Sequence, residues 1–301
     1  MLLVNGTTQP LILASQSAVA SASFGHRVEV AAAAGFDALG ISLEQFNDAL
    51  ASGLTTRDMQ SILTATGMRI LQIDAIVGFA IAPEAAGRRF DNGVPSSTRE
   101  EIDTLFQIAE IFGAEHITTV GSFGLADLEP AAVERFASLC DRAASVGTKL
   151  DLEFVGDANL RTVEQADELV TLAGASNGGI EVDIWHHVRS GTGMAALKAL
   201  SSDHLFVIQM CDGPSVPVFA DYMEDTTRTR LPPGCGDFNT SGFLEAIYST
   251  GASAPVSVEV ISDDLAAMDP GAAARLLAES TRKVLDATTA VESDKADQTS
   301  P

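Results

Sequence analysis

Eight times along this chain a short apolar run gives way to a longer run with helical spacing. No other feature restricts the fold as much. The short runs lie near 11–15 (LILAS), 38–42 (ALGIS), 69–77 (RILQIDAIV), 117–122 (ITTVGS), 149–155 (KLDLEFV), 179–184 (GIEVDI), 205–211 (LFVIQMC) and 255–261 (PVSVEVI). Several are apolar at nearly every position, as strands covered on both faces must be. Helix-periodic stretches lie near 24–34, 56–66, 97–113, 130–146, 163–174, 192–200, 239–250 and 270–289. Strands separated by helices pair in parallel through right-handed crossovers. Eight such units in a 301-residue chain predict a single-domain (β/α)8 TIM barrel over 1–289. An open doubly wound sheet would ordinarily carry a glycine-rich phosphate loop after an early strand, and none follows the first two runs. The stretch 290–301 is polar without apolar periodicity and is expected to lack fixed structure.

The formal charge of −23 makes the chain a poor candidate for nucleic-acid binding by counterion release. No run is long and apolar enough for a membrane span, and the N-terminus lacks the pattern of a signal peptide. Cys140, Cys211 and Cys235 are odd in number and widely spaced, which fits free thiols in a reducing cytoplasm. Lys149, Lys198, Lys283 and Lys295 all lie away from the C-terminal ends of the strands, which disfavours a Schiff-base aldolase and a lysine phosphate clamp.

A barrel concentrates chemistry at the C-terminal ends of its strands. There the last four runs are interrupted by Glu153, Asp183, Gln209 and Glu259, with Asp212 just beyond the seventh. A buried lone carboxylate costs several kcal/mol unless it is paired or metal-bound. Three carboxylates and a carboxamide oxygen form a hard oxygen set suited to Mn²⁺ or Mg²⁺, with Co²⁺ a further option. The stretch VDIWHHVRSG places His186 and His187 after Asp183. His186 is expected to face the substrate, and His187 to point away and serve packing. Trp185 is expected to pack between barrel and helix. His26 opens a helix after the first run and is a candidate pocket residue. His116 and His204 precede their runs and are expected at the surface or as caps. The loop RLPPGCGDF has the Gly/Pro density of a shaped turn and is expected to cover the substrate.

The segments LEF, EVDIWHHVRSG, VIQMCDGP, RLPPGCGDFN and VSVEVIS, in this order, resemble the xylose isomerase-like TIM-barrel family, over most of the chain and most strongly from Glu153 to Ser262. That family includes sugar-phosphate isomerases and epimerases, inosose dehydratases and 3-dehydroshikimate dehydratases. The resemblance implies metal ligation by Glu153, Asp183, Gln209 and Glu259, a substrate-side His186 and a substrate-contacting Arg230. Many of the family's isomerases carry histidine where this chain has Gln209, and glutamine there is similar to the dehydratases. Those dehydratases carry a PFRDFEG-like segment after the third strand. Here the region reads GFAIAPEAAGRRFDNGVP, with Arg88 kept as a candidate substrate contact.

The chemistry implied is a divalent-metal-dependent isomerase or epimerase acting on a sugar or related polyhydroxy carbonyl compound through an enediolate. Glu153 and Glu259 would form the acid/base pair. The alternative is a carbon–oxygen lyase that dehydrates a cyclic hydroxy-ketone such as 3-dehydroshikimate or an inosose, with His186 protonating the leaving oxygen. An endonuclease-type hydrolase is disfavoured by few histidines and strong acidity, and a non-catalytic binding protein by the intact ligand set. The expected partner is a small molecule, with homo-oligomerisation left open.

Overall fold

Strand ends aim side chains at a common mouth only if the sheet closes, and in this chain it does. The computed structural model describes residues 2–4, 7–81, 86–90, 92–123 and 128–299, with side chains from 8 to 289. A short antiparallel ribbon, β1 (Leu2–Val4) and β2 (Thr7–Gln9), comes first and was not foreseen from the sequence. The strands β3 (Leu11–Leu13), β4 (Ala38–Ser42), β5 (Ile70–Val77), β6 (His116–Val120), β7 (Lys149–Glu153), β8 (Gly178–Asp183), β9 (Leu205–Met210) and β10 (Val256–Val258) follow in order around a parallel barrel. β10 pairs with both β9 and β3, which closes it. The expected (β/α)8 architecture is therefore the observed one.

Local chemistry sets the helices that cover this barrel. The helix Arg99–Phe112 begins at a capping box: Thr98 accepts from the Glu101 N–H, and the Glu101 carboxylate accepts from the Thr98 N–H. It ends at Gly113, whose φ of 64° a side chain would resist. Four short helices were not expected: Leu43–Ala51, Ile184–Ser190, Tyr222–Arg228 and Asp263–Ala266. The last helix, Pro270–Thr299, runs across most of the stretch expected to be irregular, and from 290 only its backbone is described.

Register decides which polar side chains share a level. Glu181 precedes Asp183 by two residues on β8, and Ser257 precedes Glu259 by two at β10, so each pair points to the same side of its strand. Gln72 and Asp74 stand in the same relation on β5. The lower members, Gln72, Glu181 and Ser257, meet inside the barrel together with Thr118. The upper members reach the mouth.

His116 corrects its expectation. It lies within β6, not at the surface, and is buried with Nδ1 2.9 Å from Asp151 Oδ1. His204, partly exposed with Nδ1 2.6 Å from Asp167 Oδ1, fits its expectation.

Candidate functional site

Asp183 ends β8 and at once begins the next element. Its Oδ1 accepts from the Trp185 N–H at 2.8 Å and so caps the helix Ile184–Ser190. Its other oxygen, Oδ2, turns to the barrel mouth. Three residues on, about one helical turn, His186 returns over that oxygen, with Nε2 3.5 Å from Asp183 Oδ2. The same Nε2 lies 3.4 Å from Glu153 Oε1, at the end of β7. His187 departs in another direction. Its Nδ1 lies 3.2 Å from Thr192 Oγ1, and its ring packs 6.0 Å from Phe243. The two histidines diverge as expected, but through a helical turn and not through strand alternation.

Gln209 and Arg230 complete the cluster. The Gln209 amide meets Glu153 Oε1 at 3.2 Å and Asp183 Oδ2 at 3.1 Å. With its nitrogen inward it donates to both carboxylates. With its oxygen inward it adds a third oxygen, an arrangement that needs a proton or a cation between them. Arg230 is buried, with Nη1 2.9 Å from Asp183 Oδ2 and 3.1 Å from Glu259 Oε2. Glu259 stands one residue past β10. The resemblance implies a substrate contact for Arg230; the fold buries it among the acids.

The charges explain the titration. Burial, then the charges of Glu259 and Asp183, push the Glu153 carboxyl well above the usual carboxylate range. Burial likewise pushes Glu259 up to about 7, although Arg230 opposes the shift. Burial lowers His186 to about 4, against the pull of Asp183, so its imidazole is neutral near pH 7. Burial also works against the charge on Arg230, but Asp183 and Glu259 outweigh it and hold the guanidinium protonated. When ionised, three carboxylates against one guanidinium leave two negative charges, the number one divalent cation balances. Charge and donor chemistry therefore fit a divalent metal beside Glu153 and Asp183, whose oxygens lie with His186 Nε2 within 4.8 Å of one another; Gln209 adjoins both acids, and Glu259 joins the cluster through Arg230.

Two expected substrate contacts are not drawn in. His26 is exposed on the helix Phe24–Ala34, 3.9 Å from Glu29, and Arg88 is exposed on the loop after β5. No described contact joins either to the cluster. Residues 82–85 and 91, within the stretch compared with the dehydratase segment, lie outside the described residues. Asp212 is a loop clamp: its Oδ1 accepts from the N–H groups of Gly213 and Phe238, and its backbone exchanges hydrogen bonds with Leu231. This ties the RLPPGCGDF loop to the end of β9. Trp185 packs fully buried against Phe238 at 5.7 Å.

Two further residues of the site, Asp74 and Tyr222, are not foreseen from the sequence. Asp74, half-buried, accepts from the hydroxyls of Ser15 and Thr118, and burial raises its pKa. Tyr222 stacks on His186 with ring centres 6.0 Å apart. Tyr222 also packs against a buried apolar cluster of Phe90, Phe123, Val155 and Ala158. For Asp74 the signal was available, a carboxylate inside an otherwise apolar run; for Tyr222 there was none.

A closed eightfold barrel with this oxygen cluster at its C-terminal mouth defines a class, and sequence comparison agrees. The chain belongs to the xylose isomerase-like TIM-barrel family, whose model matches residues 28–284. It is 27% identical over 247 residues to a 3-dehydroshikimate dehydratase of Pseudomonas aeruginosa, covering 81% of this chain and 37% of that one. It is 29% identical over 136 residues to an inosose isomerase of Bacillus subtilis, covering 44% and 48%. The chain thus spans less than half the length of either relative. In three dimensions it is similar to the IOLI protein with a bound zinc atom, with a TM-score of 0.81, 21% identity, and coverage of 93% of this chain and 99% of that one.

Proposed function

We propose that this chain is a divalent-metal-dependent isomerase or epimerase of a polyhydroxy carbonyl compound. It would transfer a proton at the carbon next to the carbonyl by way of an enediolate. One observation carries the proposal: Glu153 and Glu259 converge on one buried cluster with both carboxyls shifted upward, Glu259 to about 7. A group titrating near neutrality is matched to take and return a proton at working pH. A bound divalent cation, Mn²⁺ or Mg²⁺ by the hardness of the donors and Co²⁺ as a further option, would supply Lewis-acid stabilisation of charge on the carbonyl oxygen.

The chain's own residues do the rest. One of Glu153 and Glu259 takes the α-proton as carboxylate, and the other, protonated from solvent, returns one on the opposite face or the adjacent carbon. Arg230 keeps Asp183 and Glu259 oriented through charge-assisted hydrogen bonds. His186 offers a polar atom beside Glu153 for a substrate hydroxyl.

The dehydratase reading is favoured by two features: His186 stands beside Glu153, where it can hand a proton to a departing hydroxyl, and the chain is 27% identical to a 3-dehydroshikimate dehydratase. In either case the partner is a small molecule and not a nucleic acid, in keeping with the charge of −23. Among the described residues no helix is long and apolar enough to cross a membrane. Three free thiols suit a reducing cytoplasm.

The test is a screen of ketoses, inososes and dehydroshikimate in deuterated solvent with Mn²⁺, Mg²⁺ or Co²⁺. Deuterium at the α-carbon with water retained marks isomerisation or epimerisation, and loss of water marks the lyase. Full activity after exhaustive chelation would sink both readings.

A further inference from the structure

We propose that Tyr222 is a positioning residue that fixes His186 as its Nε2–H tautomer, so that the imidazole faces the carboxylates as a hydrogen-bond donor and not as a metal ligand. The inference rests on the role given to His186 above, but its first readout needs no substrate. By position alone His186 qualifies for either part, since its Nε2 and oxygens of Glu153 and Asp183 lie within 4.8 Å of one another. The tautomer decides between them, because a ligating nitrogen must carry a lone pair and not a proton.

Both ends of the ring demand the same tautomer. At one end, the Gly156 N–H donates to Tyr222 Oη at 3.2 Å, because a backbone amide can only donate. Tyr222 Oη also lies 2.6 Å from His186 Nδ1. The phenol proton has no other acceptor among the described contacts. Donated to Nδ1, it requires that nitrogen to be bare and leaves the ring proton on Nε2. At the other end, Nε2 faces Glu153 Oε1 at 3.4 Å and Asp183 Oδ2 at 3.5 Å. A bare lone pair there would oppose the Asp183 carboxylate that Arg230 holds, whereas an N–H is attracted to it.

The phenol is held in place from two sides. Gly156 lets the ring approach: a Cβ there would stand 2.9 Å from Tyr222 Cε2 and 3.1 Å from Oη. The helix Tyr222–Arg228 is capped by Asp221, whose Oδ1 accepts from the Glu224 N–H at 2.8 Å, and anchored by Asp225 on Arg189 at 3.2 Å. The same helix braces Arg230, which donates to Thr226 O at 3.0 Å and Thr226 Oγ1 at 3.1 Å. One short element thus orients both nitrogen side chains that flank the acids.

The experiment uses full-length protein with ¹⁵N-labelled histidines and two-bond ¹H–¹⁵N correlation spectra at neutral pH, metal-free and with Mg²⁺. His186→Ala assigns the signal. The expected wild-type spectrum is that of an Nε2–H ring in both states. Tyr222→Phe removes the donor to Nδ1, and the ring shifts toward Nδ1–H while the other four histidines stay unchanged. Gly156→Ala, which displaces the phenol, gives the same shift by a separate route. In turnover, Tyr222→Phe lowers kcat by about ten- to hundredfold with KM and metal content unchanged. An Nδ1–H ring or an imidazolium in the wild type would overturn the proposal. So would an Nε2–H ring left unaltered in both variants. An Nε2–H ring that responds to both variants, in a protein inactive on every substrate of the screen, would sink the proposed reaction and still support the tautomer assignment.

Discussion

Glu181 and Asp183 stand two residues apart on β8, face the same side and are both fully buried. Their surroundings differ completely. Glu181 Oε1 accepts from Gln72 Nε2 at 2.7 Å, and its Oε2 lies 2.9 Å from the Thr118 hydroxyl. Gln72 spends its own oxygen on Ser257 at 2.9 Å, so the lower layer closes on itself. One level higher, Glu153 and Asp183 bring oxygens to one amide, and Asp183 and Glu259 share one guanidinium. A buried acid alone therefore does not mark a site. The mark is a set of acids whose partners do not suffice without a further cation. Glu181 carries a raised pKa too, from burial first and then the charge of Glu153, yet its hydrogen bonds leave nothing for a ligand to satisfy.

The contrast breaks most visibly in turnover. Glu153→Gln and Glu259→Gln should each reduce kcat by about 10²- to 10⁴-fold, the range of a lost general acid or base. Metal content measured on the same samples separates lost chemistry from lost ligation. A variant that keeps its metal and full activity would remove that residue from the mechanism.

Arg230→Ala probes the same layer through stability. It leaves Asp183 and Glu259 without their buried counter-charge, and the metal-free protein should lose about 3–5 kcal/mol in urea denaturation. Saturating divalent cation should recover part of this loss. A variant as stable as wild type would mean that the acids are already neutral without arginine.

The upper layer should also set the pH dependence of metal binding. Glu259 titrates at about 7 in the folded protein against 4.5 as a free side chain, and Glu153 is raised too. Between those values the fold holds protons that the unfolded chain has released. The carboxyls' contribution to metal-free stability is thus fully present below about pH 4.5 and is lost as pH rises toward 7. Cation binding must expel the same protons, so affinity should rise about tenfold per pH unit below 7 for each proton displaced. His186 has the opposite sign: lowered to about 4, its contribution is present above 6.5 and lost as pH falls toward 4. Metal titration calorimetry in two buffers of different ionisation heat reads the protons released. No proton release at pH 6 would contradict the raised carboxyls.

The smallest effect belongs to the lower layer. Glu181→Gln has the shape of the protonated acid, and Thr118 can accept from the new amide while donating to Asp74 Oδ1, 3.0 Å away. Its stability should stay within about 1 kcal/mol of wild type, and a larger loss would mean that Glu181 serves as an anion after all.

Much of the site was legible before folding. Glu153, Asp183, Gln209 and Glu259 each interrupt an apolar strand, and burying such groups is costly enough that their recurrence on successive strands carries information. Asp74 broke its strand in the same way and was passed over, because its partners Ser15 and Thr118 come from segments far away in sequence. His116 was misjudged because its proximity to Asp151 depends on neighbouring strands being in register, which a position before an apolar run does not reveal.

By itself the sequence determined the alternation of strand and helix, the closed count of eight and the four polar interruptions. Each follows from periodicity and desolvation, which act on a residue and its near neighbours. Only the tertiary structure decided that Arg230 is buried between Asp183 and Glu259, that Tyr222 reaches His186 and Gly156 across 36 and 66 residues, and that Glu181 is satisfied where Asp183 is not. Those contacts exist because barrel closure and two loop paths bring distant segments within a few ångströms, and no local pattern encodes that distance.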